Sequence, residues 1–288
     1  VTAPEFAPSP TLYPFASRWF TGRAGRMHYL DEGGGQPILM LHGNPTWSFL
    51  YRHLIPALRG RFRCIAVDLL GFGRSERPAG FGYTPAEHTA VLGELIRHLN
   101  LTDLIVMGHD WGGPIGLSAA VAHRDRVAGL VLGSTWFWPP GWTLRTFGTV
   151  MSTRQMRRRV LERNFFVERI LFGTVARRLS EPEKDHYRGV QPSPQLRVGV
   201  AEFPRQILAS TPWLAELDRG VRTHLSATRA LCTYPMRDLA LPARTYLSRF
   251  RDTFTDLHVV RLPGAGHYFL EDDSPRVARA ITDRFGGT

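Results

Sequence analysis

Apolar positions along the chain follow two rhythms. QPILMLHG, RFRCIAVDL, LIVMGHD and VAGLVLGST stay apolar without alternating, the pattern of strands buried on both faces of a parallel sheet. Between them, apolar residues recur every three or four positions. TPAEHTAVLGELIRHLNL has a Thr to cap it, a Pro at the first helical position, an apolar stripe and a basic last turn, so it predicts a helix. WSFLYRHLIPAL and GGPIGLSAAVAHR read as helices by the same spacing. Before them, SRWF and GRMHYLDEGG alternate like an antiparallel pair. Later, TRALCTYPMRD and LHVVRLPGAGH read as strands, and PARTYLSRFRDTF and SPRVARAITDRF as helices.

Strands alternating with helices at this interval predict an α/β fold: a mostly parallel central sheet flanked by helices. From Trp136 to Trp213 the alternation stops, and the sequence is helical in pattern, aromatic-rich and broken by prolines. That segment predicts an inserted helical cap over the sheet edge. The expected division is a core of residues 1–135 and 214–288 with a cap of 136–213. No internal repeat or low-complexity tract interrupts it.

Composition fits a globular chain: 288 residues, 43% hydrophobic and 21% charged. The net charge of +11 raises nucleic acid or an anionic surface as partner. The basic residues are nearly all Arg and scattered through both halves, and no zinc-finger spacing, RNA-binding aromatic motif or glycine-rich phosphate loop accompanies them. The expectation is therefore a solvated basic face and no nucleic-acid partner. No apolar run approaches the roughly 18 residues of a membrane span, and VTAPEFAPSPTLYPF lacks the basic start and apolar stretch of a signal peptide. Cys64 and Cys232 lie in strand-like runs, consistent with core thiols. A cytoplasmic protein, without a membrane partner, is expected.

Open α/β sheets bind ligands beyond the carboxyl ends of their strands. HGN after one strand and GHDWGG after another therefore share an edge. GHDWGG has the shape of the strand–turn–helix elbow that presents a nucleophile, with Asp110 at its centre. A carboxylate, ionised at neutral pH, attacks an alkyl carbon directly and leaves an ester. His267, on the glycine-rich loop LPGAGH, reaches the same edge and is suited to activate water. Asp238, at the end of the next-to-last strand, is placed to orient it. His42, His53 and His109 read as structural or exposed. The backbone N–H groups of Asn44 and Trp111 fall where an oxyanion hole is built; their side chains add an amide and an indole donor suited to a departing halide. Phe137, Trp138, Phe165, Phe166 and Phe203 are candidates for lining the pocket, although such a stripe equally fits a core.

HGNPTWSFLYRHLIP, DLLGFGRSERP, GHDWGGPIGL and the late GAGH together resemble the haloalkane dehalogenases of the α/β-hydrolase superfamily, from about Tyr13 to Phe285. The resemblance implies Asp110 as nucleophile, His267 as base, Asn44 and Trp111 as halide ligands, and Asp238 as acid. It implies a halogenated alkane and water as reactants, halide as product, and no metal or organic cofactor. It leaves the oligomeric state open. The chain departs from the family at YPMRD, where Pro235 replaces a glycine, and at Ser134, one of two positions from which the family draws its acid. Epoxide hydrolases share the elbow but use a different HG loop and two cap tyrosines; here Tyr187 is the only tyrosine between Trp136 and Trp213. A coelenterazine-luciferase-like monooxygenase and a non-catalytic binding protein on the same fold are the further alternatives.

Overall fold

The computed structural model describes residues 5–287. Among these residues eight strands form one sheet: β1 (Arg18–Gly22), β2 (Gly25–Gly33), β3 (Gln36–Leu41), β4 (Phe62–Val67), β5 (Leu104–His109), β6 (Val127–Gly133), β7 (Arg229–Pro235) and β8 (Leu257–Leu262). Their order is β1-β2-β4-β3-β5-β6-β7-β8. β2 pairs antiparallel with β1 and β4, and every other pair is parallel. The unbroken apolar runs become strands buried on both faces: Leu39, Leu41, Val106 and Leu132 pack into one core cluster, and Ile38, Met40, Met107 and Val131 into the other. The strand order reverses around β3, with Leu41 level with Gly108 of β5. HGN and GHDWGG thus leave neighbouring strands at the crevice where such sheets bind ligands.

Twelve α-helices among the described residues cover the sheet and its edge. On the first half lie α1 (Leu54–Leu58), α2 (Pro85–His98) and α3 (Gly112–Ala122). Thr84 and Glu87 close a reciprocal capping box at the start of α2, with Pro85 in its first turn. WSFLYRHLIPAL, expected as one helix, divides into a 3₁₀ turn at Ser48–Tyr51 and α1. Pro56 has no N–H for the carbonyl of Arg52, which disfavours one regular helix through that point.

Between β6 and β7 the described residues form helices and connecting loops, with no strand: α4 (Trp142–Met151), α5 (Arg154–Arg163), a π-helical turn at Phe166–Leu171, α6 (Phe172–Thr174), α7 (Glu181–Gly189), α8 (Val198–Ala209) and α9 (Thr211–His224). The boundary expected at 213 falls inside α9, which packs against α3. The sheet is completed by α10 (Ala243–Thr253), α11 (Phe269–Asp272) and α12 (Ser274–Phe285). No helix among the described residues is long and apolar enough to cross a membrane. Cys64 and Cys232 are buried free thiols.

A buried ionic cluster joins the helical segment to the sheet edge. Arg52 binds both oxygens of Glu271, at 2.5 and 2.7 Å, and Glu183 at 2.8 Å. Arg177 reaches the same two carboxylates at 2.6 Å, and the Tyr187 hydroxyl donates to Glu271. Next to it, Asp272 accepts the Ala176 and Arg177 N–H groups at 2.9 Å and the Gly266 N–H at 2.8 Å. Burial pushes the Glu271 carboxyl up, but Arg52 outweighs it and holds the group below its ordinary range. Its stabilisation is therefore present above the ordinary carboxylate pKa and lost as pH falls through the depressed one. Glu271→Ala removes both Glu271 contacts of the buried Arg52 guanidinium and leaves it Glu183 as its one carboxylate partner. The expected loss is about 3–5 kcal/mol of stability at neutral pH, read by urea unfolding, and narrowing as the pH is lowered.

Candidate active site

β5 delivers Asp110 into a left-handed turn, φ 49°, before the chain enters α3. Such a backbone costs about 1–3 kcal/mol in a non-glycine residue and persists only where its surroundings fix it. Here the Asp110 N–H donates to the Ser134 carbonyl at 3.0 Å, and the Thr135 hydroxyl donates to the Asp110 carbonyl at 2.6 Å. The glycines of GHDWGG are steric requirements. A Cβ on Gly108 would lie 2.5 Å from the Gly113 Cα; one on Gly112 would strike the Leu41 carbonyl, and one on Gly113 the Thr135 hydroxyl. Gly43 is bound by the same logic, because a Cβ there would overlap the Asp110 carboxylate.

Around Asp110 the structure gathers the residues expected from sequence. The Asn44 backbone N–H donates to Asp110 Oδ1 at 2.8 Å. His267, past the end of β8, places Nε2 3.6 Å from Asp110 Oδ2 and Nδ1 2.9 Å from Asp238 Oδ2. The other Asp238 oxygen accepts the N–H groups of Ala240 and Leu241 at 2.9 and 3.0 Å. Pro235 is the last residue of β7, and the loop after it is pinned by Met236 N–H to Leu262 O and Arg237 N–H to Ala265 O, both 3.0 Å. The proline thus leaves Asp238 within reach of the imidazole. Ser134 is buried with φ 45° and brings no carboxylate.

Burial opposes a charge on His267, but Asp238 and Asp110 outweigh it and raise its pKa to about 10. Asp238 is buried too, and the imidazolium holds its carboxyl below the ordinary value. His109, wholly buried, is driven down to about 4, so its neutral ring donates Nε2–H to the His267 carbonyl at 3.0 Å. His42 likewise bridges two backbone groups, Gly43 O and Leu69 N–H. Both are structural, and His53 is half-exposed. Among the described residues the one cluster with metal-ligand spacing is His53, Glu183 and Glu271. Arg52 and Arg177 already neutralise its two carboxylates.

A mainly apolar cavity of about 540 Å³ opens over Asp110 and His267, with Asn44, Trp111 and Asp238 in its wall. Of the five aromatics expected there, Phe166 lines it. Phe137 instead packs on Phe250 and Phe254, and Trp138 on Tyr246 and Phe250. Phe165 borders a surface cleft with Arg159, Arg163 and Arg169. Phe203 sits behind Trp111, 5.3 Å between ring centroids, and stacks on Phe72 at 4.8 Å. These rings filled hydrophobic layers away from the cavity, which an aromatic pattern in sequence does not distinguish from a lining. Trp136, Leu144, Phe147, Pro204, Ile207 and Tyr268 line it and were not expected. The spacing of Leu144 with Phe147, and of Pro204 with Ile207, is the one-face helical signal that was available. Tyr187 lies outside the wall, bonded to Glu271.

Comparison with known proteins agrees with this geometry. Residues 36–274 match the family described as alpha/beta hydrolase fold. Haloalkane dehalogenase 2 of Mycobacterium tuberculosis (strain CDC 1551 / Oshkosh) is 51% identical over 283 residues, covering 98% of this chain and 99% of its own. A haloalkane dehalogenase of Sphingobium indicum (strain UT26S) is 36% identical over 290 residues, covering 91% of this chain and 92% of its own. The crystal structure of wild-type DBJA superposes with a TM-score of 0.84 at 27% identity, covering 92% of this chain and 96% of that one. With an aspartate at the elbow, a histidine against it and full-length relatives of one kind, the chain belongs to the haloalkane dehalogenases of the alpha/beta hydrolase fold family.

Proposed function

We propose that the enzyme hydrolyses haloalkanes in two steps through an ester on Asp110. The observation that carries this reading is a carboxylate at the elbow, its two oxygens differently held, beneath a largely apolar cavity. Oδ1 is engaged by the Asn44 N–H, which leaves Oδ2 to attack the halogen-bearing carbon. The O–C bond forms as the C–halogen bond breaks, and the electron pair leaves with the halide. Asn44 Nδ2 and the Trp111 indole supply neutral N–H donors to that anion, strengthened in a site that excludes water. Oδ1 then becomes the ester carbonyl oxygen. His267 takes a proton from water, the hydroxide attacks Asp110 Cγ, and the N–H groups of Asn44 and Trp111 hold the oxyanion. The intermediate collapses with cleavage of Cγ–Oδ2, the leaving alkoxide takes the proton back from His267, and ionisation of the restored Asp110 carboxyl releases one proton beside the alcohol and the halide.

Charge orders the two steps. In the resting site two carboxylates hold His267 protonated, with the pKa near 10. Alkylation neutralises Asp110 and removes one of those anions. The imidazole then gives up its proton more readily and becomes a base when there is an ester to hydrolyse. Asp238 orients it throughout.

The helical segment 136–213 acts as the cap that closes this cavity over the core of 1–135 and 214–288. The absence of a cap tyrosine from the cavity wall favours carbon–halogen over epoxide chemistry, which needs a donor to the ring oxygen. Two buried thiols and the lack of a spanning helix among the described residues support a cytoplasmic setting.

Halide release from a short bromoalkane is the first measurement. Wild type releases bromide and Asp110→Asn does not; release of equal rate from both would sink the scheme. In the same variant, NMR titration of the His267 ring shows a pKa below that of wild type, since one anion is gone. His267→Phe accumulates an alkyl-enzyme, seen as added mass after a single turnover. Asp238→Asn slows ester hydrolysis on the order of 10²–10⁴-fold while leaving the alkylation burst, and an unslowed variant removes Asp238 from the mechanism.

A further inference from the structure

α8 carries a proline in its interior, Pro204. A helix normally closes each carbonyl on the N–H four residues later, and Pro204 has none. The carbonyl left open is that of Val200. That same oxygen accepts Asn44 Nδ2 at 3.2 Å. Asn44 is buried, with its Oδ1 unpartnered, and it faces the cavity. An amide nitrogen carries two hydrogens, so one fixes the side chain to α8 and the other remains for a ligand. One residue before the proline, Phe203 backs the Trp111 ring.

We infer that Pro204 is a positioning residue for the leaving-group site: by withholding an N–H from Val200, it provides the acceptor that fixes the Asn44 amide. This rests on the halide role of Asn44 proposed above. The proline ring also displaces the i−4 carbonyl from the helix axis, which turns Val200 O outward to Asn44. Through Val200 and Phe203, one stretch of α8 supports both donors, and Pro204 itself and Ile207 touch the substrate space. Halide affinity is therefore tied to how α8 sits on the core.

Pro204→Ala restores the N–H and lets Val200 O close within the helix. Because proline in a helix interior is unfavourable, the variant is expected to unfold no more easily than wild type. Bromide affinity, read by quenching of tryptophan fluorescence, is expected to fall about tenfold, the scale of one lost hydrogen bond. Carbon–halogen cleavage slows by a similar factor, whereas hydrolysis of the preformed ester, which uses the Asn44 backbone N–H, keeps its rate. In an Asn44→Ala background the proline change has no further effect on bromide. Unchanged affinity in folded Pro204→Ala, or an equal loss in both backgrounds, overturns the inference. NMR exchange of the Asn44 side-chain amide separates this from failure of the dehalogenase reading. Protection in wild type that is lost in Pro204→Ala supports the pin even if no bromide binds, and an unprotected wild-type amide refutes it.

Discussion

The left-handed turn at Asp110 is the constraint on which the site depends. To hold a non-glycine residue at φ 49°, α3 must be drawn tightly against β3 and β5, and the three glycines around Asp110 follow from that closeness. The parallel pairing of β3 with β5 then brings the Asn44 N–H to the carboxylate. Part of the energy of packing is thus spent on a strained residue that points its side chain out of the sheet. A site built at the end of paired strands inherits their rigidity, which a loop alone does not offer.

Electrostatics complete what the turn begins. Two carboxylates flank one imidazole, and all three are largely removed from water. Both negative charges favour the imidazolium, so the ionic state of the site depends on whether Asp110 carries its charge. Buried ion pairs are weak sources of net stability but severe when broken. That description fits both this triad and the Arg52–Glu271–Arg177–Glu183 cluster. The second cluster lies next to the first in sequence: Glu271 is on the turn after His267, and Asp272 accepts the Gly266 N–H. The loop that carries the histidine is therefore fastened to the helical segment on its far side.

The helices between β6 and β7 contribute differently from what their aromatic content suggests. Phe137, Trp138 and Phe203 are spent on packing, while Leu144, Phe147, Pro204 and Ile207 face the cavity. The second group surrounds the site with apolar surface and keeps the dielectric low. Phe203 acts one layer back, holding Trp111 in place. Glu271, four residues after His267, is engaged by Arg52, Arg177 and Tyr187.

The sequence by itself determined the strand–helix alternation, the parallel sheet, the helical insertion and the residues of the elbow. Each of these is written in short-range pattern: unbroken apolar runs, helical spacing, caps, and glycines at fixed offsets from Asp110. His267 and Asp238 were also legible, because strand ends on one sheet edge converge by topology. Only the tertiary structure decided which face of each inserted helix meets the cavity, where α9 begins relative to the insertion, and that Arg52 is buried against Glu271. Those outcomes depend on contacts between residues distant in the chain, such as Trp111 with Phe203, Phe137 with Phe250 and Arg52 with Glu271. Burial makes an aromatic side chain favourable in a core and in a pocket wall alike, so its sequence position carries no record of which neighbour it will meet.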